Sequence, residues 1–475
     1  MNVKSSSERY MLTRNINKVL AALTSISTAS VLQSVVIFSY IFFMSHFADV
    51  SEYALYRKYF YVVDFTTALS LFGINTLLLR KDKDYIRGNI VNSLLIVNTL
   101  STFILIVFSL TRGFSWDVFL QLFIFLILNT LYQIVTGMII RFQKKALYFS
   151  LTSINFVIVA VCMFFLTCND LLTYHYLYIV RTLSLLLYIV PFFFNIRREI
   201  ARISFIDVKS SLSLFKEASP IGFGVMLGSC TLYVDKFVAS LMSDYDLAVY
   251  ANASADIPFV GVAITTMSAF YIPLIHNEYK KNMYHDAATL LSDLFLFGWY
   301  LGVMVFTLLF CNAEKIVTLL YSAKYIESVS LFKIFCCSYL LRIISYTYVI
   351  VSLELEKIII KRMIYELSLQ LFLSILLFKL FGIYGLAASV ILVLACWSVP
   401  YNIYYFARQL KTKIRLIIPY KKMICFLLKC FIPYAGLGYV LEALNLNTTL
   451  IFASTFILFC LVNYKEINYV ITKLR

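Results

Sequence analysis

The chain has 475 residues, of which 61% are hydrophobic, 17% aromatic and only 14% charged, and this composition excludes an ordinary soluble protein. Apolar stretches of about 20 residues recur along the whole chain, each long enough to cross the hydrocarbon core of a bilayer. The net charge of +16 would suggest nucleic-acid binding in a soluble protein, but cytoplasmic loops of membrane proteins accumulate Lys and Arg whatever their function. The composition therefore predicts an all-α polytopic membrane protein with no nucleic-acid partner.

The apolar runs predict about 14 membrane-spanning helices. Six form an N-terminal lobe over residues 1–195, six form a C-terminal lobe over residues 218–410, and residues 411–475 hold an extra helix pair. Between the lobes, residues 196–217 alternate basic and apolar positions at near-helical spacing, which predicts a cytoplasmic amphipathic connector. The predicted spans are 19–45, 54–79, 89–111, 116–140, 146–167, 174–195, 218–242, 247–275, 289–311, 328–352, 358–380, 384–407, 422–442 and 448–464.

Basic residues are distributed very unevenly between the two sets of predicted loops. The outer loops hold only Arg112, Lys315 and Lys324, whereas nearly all other loop bases, among them Arg362 at the eleventh span, fall on the inner side. Because Lys and Arg are enriched in cytoplasmic loops, both termini are predicted to lie in the cytoplasm. The first helix follows a basic segment without a convincing cleavage pattern, which indicates a retained helix.

Four basic residues within or beside the predicted spans are candidate substrate-binding residues: Arg57, Arg181, Lys236 and Arg342. A charge at mid-bilayer costs about 2.5–3.5 kcal/mol, so such residues usually face the protein interior or a watery cavity. The alternative, in which a long side chain reaches the headgroups, fits Arg181 and Arg342 less well. The surplus of bases over acids in the spans favours an anionic ligand such as a phosphate or pyrophosphate, which a guanidinium binds in bidentate fashion.

Three acids are candidates for ion coupling or charge balancing: Asp64, Asp235 and Asp256. Asp235 precedes Lys236, but consecutive side chains diverge on a helix, so these two need not pair. Asp256 lies just before Pro258, where a kink should free backbone carbonyls. Its carboxylate would hold a proton or sodium ion, or would neutralise a neighbouring Arg. The acids within predicted spans are Asp64, Asp235, Asp256, Asp293 and Glu366.

The sequence carries no motif of an enzyme, a metal site or a cofactor site. It has no metalloprotease, nucleophile-elbow or nucleotide-loop pattern, and its ten Cys include no pair with metal-ligand spacing. The outer loops are short, the longest being near 312–327, which disfavours a polysaccharide polymerase or ligase. The pairs Gly224-x-x-x-Gly228 and Gly298-x-x-x-Gly302 predict close approach of helices. We therefore expect a transporter and not an enzyme.

A short pattern recurs six helices apart. Glu52–Tyr56 (EYALY) opens the second predicted helix, and Asp246–Tyr250 (DLAVY) opens the eighth. An even period of six helices predicts two parallel structural repeats that face the same way across the membrane.

Three longer stretches carry a family resemblance over residues 15–410: VDKFVASLMSDYDLAVYANASADIP, EYALYRKYFYVVDFTTALSLFGINTLLLR and LFKLFGIYGLAASVILVLACWSVPYN. They resemble the multidrug/oligosaccharidyl-lipid/polysaccharide exporter superfamily, specifically its O-antigen flippase (Wzx-type) branch. The resemblance implies two pseudo-symmetric six-helix lobes in a V around a central cavity. It further implies alternating access that moves a polyprenyl-diphosphate-linked oligosaccharide across the bacterial inner membrane.

The resemblance also implies the partners. They are the lipid-linked glycan and membrane lipid, with a polysaccharide polymerase or chain-length protein as a candidate protein partner. Two alternatives from the same superfamily remain: a drug/cation antiporter, whose cavity should be dominated by acids, and a lipid II flippase.

Overall fold

The protein is built of helices throughout the part of the chain that the structure describes, and no β-strand occurs there. The all-α membrane fold expected from the long apolar runs is therefore confirmed, since a helix satisfies its own backbone hydrogen bonds in hydrocarbon. The chain divides into two compact units, Met1–Cys230 and Thr231–Arg475. The computed structural model describes residues 28–80, 83–141, 145–200, 208–255, 257–355 and 357–443, with Ile457 and Tyr464.

Six of the described helices are long and apolar enough to cross a membrane, or seven if the bent helix at 211–239 is one span. These helices make the chain a multi-pass membrane protein. The predicted spans 54–79, 247–275 and 328–352 are each broken into shorter helices, and most of 448–464 lies outside the described residues. The six are Thr28–Phe47, Asn89–Arg112, Trp116–Ile139, Ala146–Cys168, Tyr284–Cys311 and Ile358–Gln409.

The first unit follows the predicted order of helices closely. Its second predicted span is split at Phe72, which caps the helix in the left-handed conformation (φ 40°) and is followed by Gly73. The helices of this unit are α1 (Thr28–Phe47), α2 (Val50–Leu71), α3 (Ile74–Arg80), α4 (Lys83–Arg112), α5 (Trp116–Arg141), α6 (Lys145–Cys168), α7 (Tyr174–Ile200) and most of α8 (Val208–Ala239).

The predicted amphipathic connector is helical wherever it is described. Residues 196–200 extend α7 and residues 208–217 begin α8, which bends by 62° between Ser211–Ser219 and Gly222–Ala239. The ring of Phe72 stacks on Phe215 with 4.8 Å between centroids, so this apolar residue of the connector packs against protein.

The second unit contains more broken helices than the sequence predicts. Pro258 begins α10 after a break, and Gly382 (φ 59°, ψ −140°) kinks α15, as expected from the conformational limits of these residues. A π-helical turn, Leu394–Ser398, follows α15. The helices are α9 (Asp244–Ala253), α10 (Pro258–Lys280), α11 (Tyr284–Cys311), α12 (Ala313–Tyr321), α13 (Ser328–Cys336), α14 (Tyr346–Ser352), α15 (Lys357–Val393), α16 (Val399–Gln409), α17 (Ile414–Ile417) and α18 (Tyr420–Ala443).

Helix α11 lies at the centre of the second unit. Its most apolar window is 61% buried, against 17% for α4 in the first unit. A Cβ atom added to Gly298 would lie 2.0 Å from the carbonyl oxygen of Ile343, and one on Gly302 would lie 2.5 Å from that of Tyr339. The two glycines therefore let the backbone at 339–343 lie directly on α11, as the small-residue spacing predicts. For Gly224 of the other pair the prediction is wrong, since no described atom lies within 4 Å of a Cβ placed there.

Candidate functional site

Arg57 is buried in the first unit and is held by its own helix. It is 2% exposed, and its Nη2 donates a hydrogen bond to the Tyr61 hydroxyl over 3.1 Å. Residues three and four apart share a helix face, so the rings of Tyr53, Phe60 and Tyr61 reach the guanidinium. Their centroids lie 5.3–6.0 Å from its central carbon. A desolvated cation gains about 2 kcal/mol from such ring faces, which stabilises the buried charge.

Arg181 of α7 lies in an enclosure of aromatic rings, with only 9% of the residue exposed. Five ring centroids lie 4.6–5.9 Å from its guanidinium carbon, and one of them, Phe60, also contacts Arg57. Helices α1, α2, α5 and α7 contribute the rings, so the enclosure exists only in the folded unit. The five rings are those of Phe125, Phe60, Tyr178, Tyr40 and Tyr56.

Asp64 completes this cluster. Its carboxylate interacts electrostatically with Arg181 and, less strongly, with Arg57. One carboxylate against two guanidinium groups leaves the cluster with a net positive charge. The Nη1 of Arg181 is buried and has no hydrogen-bond partner among the described residues. Because buried N–H groups are normally paired, this group is well suited to an oxygen atom of an anionic ligand.

Asp235 and Lys236 of α8 form an ion pair in the second unit. The Lys236 Nζ lies 3.2 and 3.1 Å from the two Asp235 oxygens, and it also donates to the carbonyl of Leu232 over 2.9 Å. Asp235 is 2% exposed and accepts a further hydrogen bond from the Tyr250 hydroxyl over 2.7 Å. The two side chains pair although consecutive residues diverge on a helix, because the flexible Lys stem curls back to the carboxylate.

The repeated sequence pattern, Glu52–Tyr56 and Asp246–Tyr250, ends in each copy in a buried tyrosine. The two tyrosines contact side chains of opposite charge. Tyr56 near the start of α2 and Tyr250 in α9 are both 0% exposed. The Tyr250 hydroxyl binds the Asp235 carboxylate, whereas the ring of Tyr56 faces the Arg181 guanidinium at 5.9 Å. The sequence echo thus marks corresponding buried tyrosines, and their charged partners come from other helices.

Arg342 lies at a break in the helix predicted at 328–352. A 3-10 turn, Cys337–Leu340, follows α13, and the chain then runs irregularly to α14. The backbone N–H of Arg342 donates to the carbonyl of Ser338 over 2.8 Å. Its half-buried side chain interacts electrostatically with Glu366 of α15.

Asp256 lies outside the described residues. On either side of it, α9 ends at Ala253 and α10 begins at Pro258, so the predicted interruption by proline is present. The backbone N–H of Ile257 donates to the Tyr339 hydroxyl over 3.1 Å. A role for Asp256 in ion coupling stays a prediction.

Arg362 is a buried cation that the sequence reasoning placed in a cytoplasmic loop. It is 7% exposed, its Nη1 donates to Asn402 Oδ1 over 3.0 Å, and its Nε lies 3.4 Å from Glu366 Oε2. The spacing of Arg362 and Glu366, four residues apart on one helix, is the sequence signal that would have indicated this pair.

The structure brings Arg57, Arg181 and Asp64 together in one unit.

The fold is that of solved membrane transporters. The lipid II flippase MurJ, in an inward closed conformation, covers 94% of this chain and 99% of its own length at 14% identity and a TM-score of 0.65. An inward-facing multidrug resistance MATE family transporter of the MOP superfamily covers 82% and 96% at 13% identity and a TM-score of 0.58. The bent form of the Vibrio cholerae MATE transporter VcmN covers 85% and 99% at 12% identity and a TM-score of 0.53.

No protein-family model and no curated protein matches the sequence. At these identities the likeness to solved structures is one of fold, and it extends over most of the chain and nearly the whole of each neighbour. The chain therefore has the polytopic all-α fold that MurJ and the MATE transporters share.

Proposed function

We propose that this chain is a flippase that moves a polyprenyl-diphosphate-linked oligosaccharide across the cytoplasmic membrane of a bacterium by alternating access. The glycan would be an O-antigen or related surface polysaccharide unit. The observation that carries the proposal is the cluster of Arg57, Arg181 and Asp64. Its net positive charge suits a diphosphate, as does the Arg181 Nη1, which has no hydrogen-bond partner among the described residues.

Within this proposal the charged residues have different tasks. Arg181 binds the diphosphate, since its Nη1 has no described hydrogen-bond partner. Arg57 supports it from α2, and Asp64 balances part of their charge. Asp235 and Lys236 neutralise each other, so we assign them to the stability of the second unit. Arg342 contributes positive potential, and Asp256 is the candidate carboxylate for ion coupling.

The remaining features of the proposal follow from the sequence. Both termini lie in the cytoplasm, two six-helix lobes move around a central cavity, and the last helix pair is an addition. Membrane lipid and the lipid-linked glycan are the partners, with a polysaccharide polymerase or chain-length protein beside them. The chain does no covalent chemistry.

A second candidate is flipping of lipid II, favoured by the extent of the structural likeness to MurJ. It involves the same diphosphate chemistry with a different glycan. Drug/cation antiport fits less well, because a cationic substrate would be repelled by the positive cluster around Arg181. Complementation of cells depleted of their lipid II flippase distinguishes the second candidate from the first.

The test is replacement of Arg181 in cells that lack their own O-antigen flippase and depend on this chain for surface polysaccharide. Loss of a hydrogen bond to a charged group costs about 1.5–3 kcal/mol, so Arg181→Ala should lower the flipping rate about 10- to 100-fold. Arg181→Lys should be intermediate, because it keeps the charge and loses the bidentate fork. Lys216→Ala, at an exposed base of the same unit, is the matched control.

Surface polysaccharide and the lipid-linked precursor retained inside the membrane are both measured, at equal membrane levels of each variant. Precursor should accumulate inside as surface polysaccharide falls. Full surface polysaccharide from Arg181→Ala, with normal protein levels, would show that the cluster does not bind the substrate.

A further inference from the structure

Four aromatic rings form a row along α15 and α16, which we name the aromatic track. Successive centroids lie 5.6, 5.3 and 4.7 Å apart. The last three rings are spaced at four-residue intervals, so they share one stripe of the helix and extend over about 12 Å at 1.5 Å per residue. The track comprises Tyr365, Trp397, Tyr401 and Tyr405.

Trp397 stands in the π-helical turn Leu394–Ser398. Such a turn inserts an extra residue, is rare and is found frequently at functional sites. It changes the direction in which the side chains after it point. The turn therefore sets the register of Tyr401 and Tyr405 relative to the α15 residues beside them.

A buried polar group lies next to the track. Arg362 is 7% exposed and Asn402 is 0% exposed, and the two are joined by a hydrogen bond of 3.0 Å. Arg362 also acts electrostatically on Tyr401, which places the polar group beside the rings. Glu366 balances the charge of Arg362, with Nε and Oε2 separated by 3.4 Å.

Two buried donors of this region, Asn402 Nδ2 and Trp397 Nε1, have no hydrogen-bond partner among the described residues. Buried polar atoms are rarely left unpaired, and here both lie beside one row of rings. A ligand that carries hydroxyl oxygens would accept hydrogen bonds from both donors. Arg362 Nε and Glu366 Oε2 face each other at 3.4 Å as an ion pair.

The chemistry of this place differs from that of the Arg181 cluster. Arg362 is paired directly with Glu366, unlike the Arg181 guanidinium, and Arg342 adds a weaker positive influence on the same carboxylate. Sugar rings present hydroxyls that donate and accept, together with an apolar C–H face that packs on aromatic rings. Tyr365, at 50% exposure, leaves the track accessible from one edge. A Trp of a membrane-interface belt turns its N–H to the headgroups, whereas Trp397 Nε1 is buried.

We propose that the aromatic track is a binding subsite for the glycan of the transported lipid, with Asn402 and the Arg362–Glu366 pair as its hydrogen-bonding groups. This inference rests on the proposed function, because it assigns the sugar part of that substrate. The track would then select among glycans, while Arg181 binds the diphosphate that all such substrates share.

The test uses the full chain in lipid nanodiscs with Trp397 as the only tryptophan, after Trp116→Phe and Trp299→Phe. The probe is the water-soluble glycan released by mild acid from the lipid-linked pool of the producing cells. It should change Trp397 fluorescence saturably, and inorganic pyrophosphate should not. Because Asn402 is fully buried, we use Tyr365→Ala as a second variant.

Both Asn402→Ala and Tyr365→Ala should weaken the apparent affinity for the glycan about tenfold. Tyr384→Ala, at an exposed ring of α15 outside the track, is the matched control and should leave it unchanged. Arg181→Ala should also leave it unchanged, although it should lower the flipping rate in cells about 10- to 100-fold. Failure of the proposed function therefore appears in the Arg181 cell assay, and failure of the subsite appears in the fluorescence.

Three results would overturn the subsite. The first is unchanged Trp397 fluorescence with the released glycan. The second is equal weakening by Tyr365→Ala and Tyr384→Ala, which would make the effect one of general stability. The third is a response to lipid headgroup composition without glycan, which would identify the rings as a membrane-interface belt.

Discussion

Replacement of Gly298 by Ala should displace the segment that carries Arg342. The added Cβ would lie 2.0 Å from the carbonyl oxygen of Ile343 and 3.2 Å from the side chain of Ile344. Ordinary contact begins at 3.4 Å, so the backbone at Ile343 must withdraw by more than 1 Å. This backbone also lies next to Gly302, so it cannot shift along α11 without a new collision.

The free energy follows from two opposing effects. Overpacking of a tight interior costs about 1–3 kcal/mol, and a collision with backbone belongs at the upper end because backbone atoms cannot rotate away. Ala in a helix gains about 1 kcal/mol over Gly. We expect a net loss of about 2 kcal/mol, which lowers the melting temperature by about 2 °C in a protein of this size.

Gly224→Ala is the matched control, since no atom of the described residues lies within 4 Å of a Cβ placed there and Gly224 is also helical. It should raise the melting temperature, because only the gain in helix propensity remains. The measurement is thermal unfolding of the purified variants in one detergent, with surface polysaccharide as a second readout. Equal or higher stability of Gly298→Ala, relative to Gly224→Ala, would refute the close backbone approach.

Two further predictions concern paired polar groups. Tyr250→Phe should cost about 1–3 kcal/mol in thermal unfolding, because the Asp235 carboxylate loses its 2.7 Å hydrogen bond. Tyr56→Phe should cost nearly nothing, since its hydroxyl has no partner among the described residues; equal costs would contradict this contrast. Hydrogen bonding between Lys280 and Glu354 raises the pKa of Lys280 and lowers that of Glu354. Any stability lost in Glu354→Gln should therefore be small at neutral pH, and should vanish as pH falls through the lowered carboxyl pKa or rises through the raised amine pKa; a pH-independent difference would contradict the pair.

The break at Arg342 shows where local sequence information ends. Residues 328–352 form an apolar run without Gly or Pro, so nothing in them indicates an interruption. The sequence signal for this close packing lies instead in Gly298 and Gly302 of α11. Because these two residues have no side chain, the carbonyl groups of Ile343 and Tyr339 can lie against them. By contrast, Pro258 and Gly382 carry their own signals, and the chain is interrupted at both.

Charge pairing was harder to predict than helix position. Arg362 follows Lys357 and Lys361, so the sequence predicts an exposed base at the cytoplasmic side. In the structure its side chain is buried and donates a hydrogen bond to Asn402. The periodicity of apolar residues predicts that Asn402 lies on a helix, but it does not predict which earlier helix packs against Asn402. The positive-inside pattern predicts on which side of the membrane a base lies, whereas packing decides how far that base is exposed.

The sequence by itself determined that this is a helical membrane protein, because apolar runs of bilayer length leave helices as the way to satisfy the backbone. It also identified Arg57, Arg181 and Asp64 as charges within spans, since hydrocarbon penalises each of them. Only the tertiary structure decided that these three charges lie close enough to interact electrostatically and that aromatic rings enclose Arg181. The physical reason is that each charge is stabilised by side chains from helices distant in sequence, and their packing is a property of the whole unit.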